Sequence, residues 1–155
     1  MTLTEILKPS CVKVPLEATD KKAAIFELVD VLEDASLVRD GDSLKAAVWT
    51  REQTRTTGIG HGLAIPHGKC DCMTGLAMAI GKPAQAMEFA AIDQRPVRLI
   101  VLLASPPDRT SDHIQALAKI SRLMTDATFR EKLFNAESSD ELFSLLAAQE
   151  QHVAS

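Results

Sequence analysis

The sequence predicts an α/β domain in which a mixed β-sheet is sandwiched between helices. Three observations point there. Helix-period segments open and close the chain, two apolar runs of strand length lie between them, and Gly and Pro residues mark the borders without forming a linker. With 155 residues, 46% of them hydrophobic and 25% charged, the chain has the profile of one globular domain, and residues 1–155 are assigned to it. A chain of this length buries on the order of 70% of its unfolded surface, enough to hold a core without disulfides or metal.

Each element has a local reason. Thr2 and Glu5 have capping-box spacing before a short helical turn that Pro9 closes. Cys11 to Val14 alternates apolar and polar, as a half-buried strand does. From Asp20 onward Ile25, Leu28, Val29, Leu32 and Ala35 recur at helical spacing, predicting a long helix that ends before Asp40-Gly41-Asp42. A second helix is expected from Ser43 to Gln53, capped by Asp42, with Leu44, Ala47 and Val48 on one face. The apolar runs Gly75–Ile80 and Val97–Ala104 read as buried strands, and Pro106-Pro107 ends the second. Helices follow at Asp112–Met124 and Ala127–Phe134. A last one is opened by the pair Ser138 and Glu141, with Leu142, Leu145 and Leu146 inward.

Composition removes several function classes. Seventeen Lys and Arg against twenty-one Asp and Glu give a net charge of −4 with the signs interleaved, so no basic face marks a nucleic-acid binder. The apolar stretch Leu99–Ala104 falls far short of the ~20 residues of a membrane span, and the N-terminus lacks the basic start of a signal peptide. No membrane insertion and a cytoplasmic location are expected. Cys11, Cys70 and Cys72 are odd in number, and the close Cys70/Cys72 pair is a poor disulfide framework, which suits a reducing compartment.

Groups capable of chemistry crowd residues 51–72: Arg51, Glu52, Thr56, Thr57, His61, His67, Cys70 and Cys72. Glycines at 58, 60 and 62 can turn successive amides toward an anion. Leu63-Ala-Ile-Pro66 reads as a strand that proline ends, so His67 emerges at a strand end, where open α/β folds place their sites. His113 follows the strand 97–104 in the first turn of a helix. If the two strands are parallel, the two imidazoles share an edge, an arrangement suited to a phosphoryl acceptor. No nucleotide motif accompanies them. Gly62–Lys69 has one residue too many for a P-loop, and Leu63 stands where the third glycine of a dinucleotide fingerprint belongs.

Taken singly, these residues have plainer readings. His113 shares a helical face with Leu117, Ile120 and Met124, as a hydrogen-bonded histidine at the core margin would. His61 is then a loop residue, Thr56 and Thr57 cap a turn, Arg51 and Glu52 form a solvated helix end, and the cysteines pack as small hydrophobes. His61, His67, Cys70 and Cys72 also form a zinc-like set. However, Cys-x-Cys is tighter than most structural zinc spacings and the intervening residues read as strand, so this reading ranks below the phosphoryl one.

Glu52, then Ile59-Gly60-x-x-Leu63-Ala-Ile-Pro-His-Gly68, resembles the phosphohistidine signature of the enzyme IIA domains of the fructose and mannitol class, part of the bacterial phosphoenolpyruvate:sugar phosphotransferase system. Arg51-Glu52, Ala91-Ile92-Asp93-x-x-Pro96-Val97, Asp112-His113 and Asp140-Glu141-Leu142 extend the likeness along the chain, which looks most like the free-standing nitrogen-regulatory branch. The resemblance implies a mixed sheet between helices and a His67 that accepts a phosphoryl group on Nε2 from a phosphorylated HPr-type carrier, with no cofactor and no metal. It also implies that His113 is the neighbouring imidazole and that Thr57 and Arg51 stabilise the phosphate. The onward partner is then an enzyme IIB or a regulatory protein. The expected mechanism adds the amides of the glycine-rich segment as donors to the phosphoryl oxygens. A second expectation is an interaction switch, in which charge added at His67 changes the protein's partners. His61 departs from the family pattern and adds a third histidine expected near the site.

Overall fold

The computed structural model describes residues 2–154 and begins with three local elements: α1 (Leu3–Ile6), a 3-10 turn at Pro9–Cys11 and β1 (Val12–Leu16). Thr2 makes no side-chain cap; its hydroxyl meets that of Thr4, so the predicted capping box does not close. Cys11 is the last residue of the 3-10 turn, so the strand starts one residue later, at Val12. Two aspartates then start a helical layer. Asp20 accepts the Ala23 amide at the head of α2 (Lys21–Asp34), and Asp40 accepts that of Ser43 at the head of α3 (Gly41–Thr54). The cap is therefore Asp40, with Asp42 inside the first turn, where a carboxylate suits the helix dipole.

A hairpin of β2 (Gly58–Gly60) and β3 (Leu63–Ala64) follows, then β4 (His67–Lys69), β5 (Ala77–Pro83) and β6 (Leu99–Ser105). The chain closes with α4 (Thr110–Leu123), α5 (Ala127–Phe134) and α6 (Ser139–Ala154). Ser138 accepts the Glu141 amide as expected, while the Glu141 carboxylate accepts the Glu137 amide one residue further out.

The sheet is mixed. Its path runs β1-β5-β6-β3-β2, with β4 also on β6; β1 is parallel to β5, β5 antiparallel to β6, and both β3 and β4 parallel to β6. Every residue of β6 is buried, and all of β5 except Lys82, so the side chains on both faces of these strands are covered. One layer is α2 and α3, which pack on each other, α2 on β5 and α3 on β4. The other is formed by α4 on β6, α6 on β1, and α5 against α6. Pro66 separates β3 from β4, yet its carbonyl accepts the Leu103 amide, so pairing to β6 resumes at His67.

Two expectations are corrected by the backbone. Cys70 and Cys72 form a disulfide with each other: the turn after β4, in which the Met73 amide reaches the Cys70 carbonyl, sets their Cα atoms 5.1 Å apart, within bridging range. Cys11 is a free, buried thiol whose pKa burial pushes up. The glycine-rich segment forms the β2–β3 hairpin, with Gly60, His61 and Gly62 at positive φ reversing the chain. Gly58 and Gly60 pair with β3, the Gly62 carbonyl accepts the Arg98 and Leu99 amides, and none of the three lines the cavity that holds His67, so the segment forms a hairpin and not an anion cradle at the histidine.

Candidate functional site

β4 carries His67 into a half-buried position in register with Leu103 of β6, and α4 starts five residues after β6 ends, bringing His113 back over the same edge. The two rings meet edge to face with centroids 5.5 Å apart. They share a cavity of about 420 Å³ with Arg51 and Ala47 of α3, and with Gly68 and Lys69 of β4. Ile114 and Leu117 of α4 form its apolar side, and Ile114 is 60% exposed.

His67 has its tautomer set by the backbone. Its Nδ1 lies 2.9 Å from the Ile65 carbonyl oxygen, an atom that can only accept, so Nδ1 carries the proton and Nε2 keeps its lone pair. Burial is the first cause that lowers the His67 pKa, and the Arg51 and Lys69 charges push the same way; the Ile65 bond and Glu52 oppose them. His113 is 3% exposed and is pushed down to about 4, first by burial and then by the charges of His67 and Lys69. Both imidazoles are therefore neutral at pH 7. Ser105 holds the second one: its Oγ is 2.7 Å from His113 Nδ1, while its backbone carbonyl accepts the Cys70 amide.

α3 is brought against β4 by Gly68. A Cβ there would stand 2.9 Å from Val48 Cγ2 and 3.2 Å from the Val48 nitrogen, so only glycine permits this approach. One turn on from Val48, Arg51 reaches the cavity, with one guanidinium nitrogen donating to the Arg55 carbonyl at 3.1 Å. Lys69 donates to the Thr110 hydroxyl at 3.1 Å, which places its ammonium at the N-terminal turn of α4.

Thr57 lies elsewhere. It is 4% exposed and does not line the cavity; its hydroxyl donates to Glu52 Oε1 at 2.5 Å and its amide to Oε2 at 2.8 Å. The buried Glu52 is completed by Lys21 at 2.8 Å, which also donates to the Phe89 carbonyl. Glu52 thus ties α3 to the start of β2 and to α2. His61 lines separate concavities beyond the β2–β3 turn, so it does not add a third imidazole to the site, and the zinc-like set of His61, His67, Cys70 and Cys72 does not assemble.

Ser105, Lys69 and Lys21 also shape the site and its support, though no motif singles them out. For Ser105 a signal exists: it is the polar residue closing an otherwise apolar strand, eight positions before His113. Nothing local marks Lys69 or Lys21, whose roles depend on tertiary approach.

The parallel pairing of β4 with β6 and the return of α4 over them bring two imidazoles together on a mixed α/β sheet, an arrangement that can support histidine-centred transfer chemistry. Residues 5–149 match the family described as phosphoenolpyruvate-dependent sugar phosphotransferase system, EIIA 2, and the chain belongs to that family. Among curated relatives it is 36% identical to a fructose-specific EIIA component of Haloferax volcanii, over 82% of each chain. It is 32% identical to the fructose-specific EIIABC component of Bacillus subtilis over 94% of this chain, and spans only 23% of that longer protein. The solved structure of nitrogen regulatory protein IIA-Ntr from Neisseria meningitidis superposes with a TM-score of 0.83 at 29% identity, covering 92% of this chain and 97% of that one.

Proposed function

We propose that the chain is a phosphoryl carrier that accepts its group on Nε2 of His67 from a phosphorylated HPr-type protein and acts in the cytoplasm in a nitrogen-type regulatory role. The observation that carries this reading is the 2.9 Å bond from His67 Nδ1–H to the Ile65 carbonyl, which leaves Nε2 as the nucleophile beside the His113 ring. In the transfer, the P–N bond to the donor histidine breaks, a P–Nε2 bond forms at His67, and the donor imidazole leaves with the electron pair. The Nδ1 proton stays on His67, where the Ile65 carbonyl offsets the charge the ring gains.

Around the transferring group, His113 serves as a hydrogen-bond donor through Nε2–H when the Ser105 hydroxyl donates to its Nδ1. Arg51 and Lys69 supply positive charge to the phosphoryl oxygens. Thr57 stabilises the site indirectly, by holding Glu52 and with it the end of α3 that bears Arg51. The apolar patch of Ile114 and Leu117 lies where a donor protein would dock. A single domain of this type is assigned to residues 1–155.

The second reading is a fructose-type transport component passing phosphate to an enzyme IIB, favoured by the 36% identity to the Haloferax volcanii component. Transfer rates from phosphorylated HPr and from its nitrogen-branch counterpart separate the two. Faster acceptance from the nitrogen-branch donor, with no onward transfer to a fructose-type enzyme IIB, is expected. Efficient passage to that enzyme IIB would establish the second reading, and acceptance from neither donor would overturn both.

A further inference from the structure

At the opposite end of β6 from the histidines lies a second concavity that the carrier chemistry does not use. Leu99 pairs with Leu63 at that end and Leu103 with His67 at the other, a separation of about 13 Å along the strand. The cavity has a volume of about 380 Å³, within the size range of small-molecule sites, and shares no lining residue with the His67 cavity. Three arginines line it: Arg95 and Arg98, both just before β6, and Arg130 of α5. On a chain with net charge −4 this is a local concentration of positive charge.

The guanidinium groups are positioned by their surroundings. Arg98 lies over the Phe134 ring, 4.4 Å from its centroid, which holds the planar fork against an apolar floor. Arg130 is fixed by one nitrogen donating to the Met124 carbonyl at 2.7 Å, leaving its other donors for a ligand. Two carboxylates are close. Glu131 meets Arg98 only at 3.7 Å, with both side chains largely exposed, so this pair is weak and displaceable. Asp93 accepts the backbone amides of His61 and Arg95, which fixes both sides of the opening. A neighbouring concavity of about 330 Å³ shares His61 and Arg130 and adds the Ser121 and Thr125 side chains, lengthening the groove.

The geometry points to a binding site for a small phosphorylated metabolite, its phosphoryl oxygens held by Arg95, Arg98 and Arg130 and its organic part toward Ser121 and Thr125 in the adjoining concavity. Guanidinium forks match phosphoryl oxygens in pairs, and the adjoining concavity with Ser121 and Thr125 gives room for a hydroxyl-bearing organic body that a bare inorganic ion would leave unfilled. The site is independent of phosphoryl acceptance at His67.

The test is an amide-resolved NMR titration of the full chain with ribose 5-phosphate, and with inorganic phosphate as comparison, in physiological salt. Saturable shifts at His61, Gly62, Arg98 and Ala127 are expected, unchanged in His67→Ala, and tighter for ribose 5-phosphate than for inorganic phosphate. The double variant R95Q/R130Q should weaken binding about tenfold or more. Ala127→Glu, which puts a carboxylate at the exposed mouth, should do the same without removing any arginine contact. Phosphoryl acceptance at His67 should keep its wild-type rate in both variants. Shifts confined to His67, Lys69 and the start of α4, shifts that stay linear to about 10 mM, or equal affinity in folded variants would overturn the proposal.

Discussion

His67 and His113 stand with ring planes 67° apart and centroids 5.5 Å apart, each ring held by a different partner through Nδ1: the Ile65 carbonyl for His67, the Ser105 hydroxyl for His113. Because Nδ1 is occupied in both, each ring has its Nε2 available for the transferring group. The parallel pairing of β4 with β6 produces this meeting, since parallel strands end at the same edge.

Ser105 is the positioning residue for His113. Ser105→Ala removes the 2.7 Å bond and should slow phosphoryl transfer about tenfold while costing about 1 kcal/mol of stability. His113→Ala should slow transfer further. Quenched-flow rates for the two variants and their double mutant check this, and additive losses would show that Ser105 acts elsewhere.

Burial of His113 links stability to pH. Its folded pKa of about 4 lies below the usual 6.5, so the unfolded chain binds more protons between these values. Stability contributed by neutral His113 is complete above about pH 6.5 and falls as pH drops toward 4, by on the order of 3 kcal/mol in total. The lowered His67 pKa adds to the loss in the same direction. Urea unfolding between pH 7 and 4.5 should show the decline, and His113→Gln should flatten much of it.

Glu52 is 3% exposed and serves three donors: the Thr57 amide, the Thr57 hydroxyl and Lys21. Glu52→Ala strands all three and should cost on the order of 3 kcal/mol. Thr57→Val removes one donor and should cost about 1 kcal/mol. In chemical denaturation this ordering should hold, and a large loss of transfer rate in a fully folded Thr57→Val protein would instead place the hydroxyl in the chemistry.

Gly68→Ala drives a methyl against Val48 and should destabilise by about 1–3 kcal/mol. It should also lower the transfer rate, because pushing α3 off β4 moves Arg51 away from His67. Val48→Ala in the same chain should restore part of both losses.

Helices were the most legible part of the chain because their apolar spacing is local: the limits of α5 match the prediction, and those of α2 and α4 lie within a few residues. The His67–His113 edge was legible through one topological rule. The Asp42 cap failed because two aspartates flank Gly41, and which carboxylate reaches Ser43 depends on where the preceding turn ends. In sequence the glycine-rich segment suits an anion cradle, yet its positive-φ residues serve a hairpin turn. The Cys70–Cys72 bridge and the Glu52–Thr57–Lys21 cluster depend on how a turn closes and how α2 meets α3, and no spacing in the sequence specifies either.

The most direct test is intact-mass spectrometry at neutral or mildly alkaline pH after incubation with phosphoenolpyruvate, enzyme I and an HPr-type carrier. A gain of one acid-labile phosphoryl group in the wild-type chain and none in His67→Ala is the expected result. An unmodified wild-type chain, or equal labelling of the His67→Ala variant, would contradict the assignment of His67 as the acceptor.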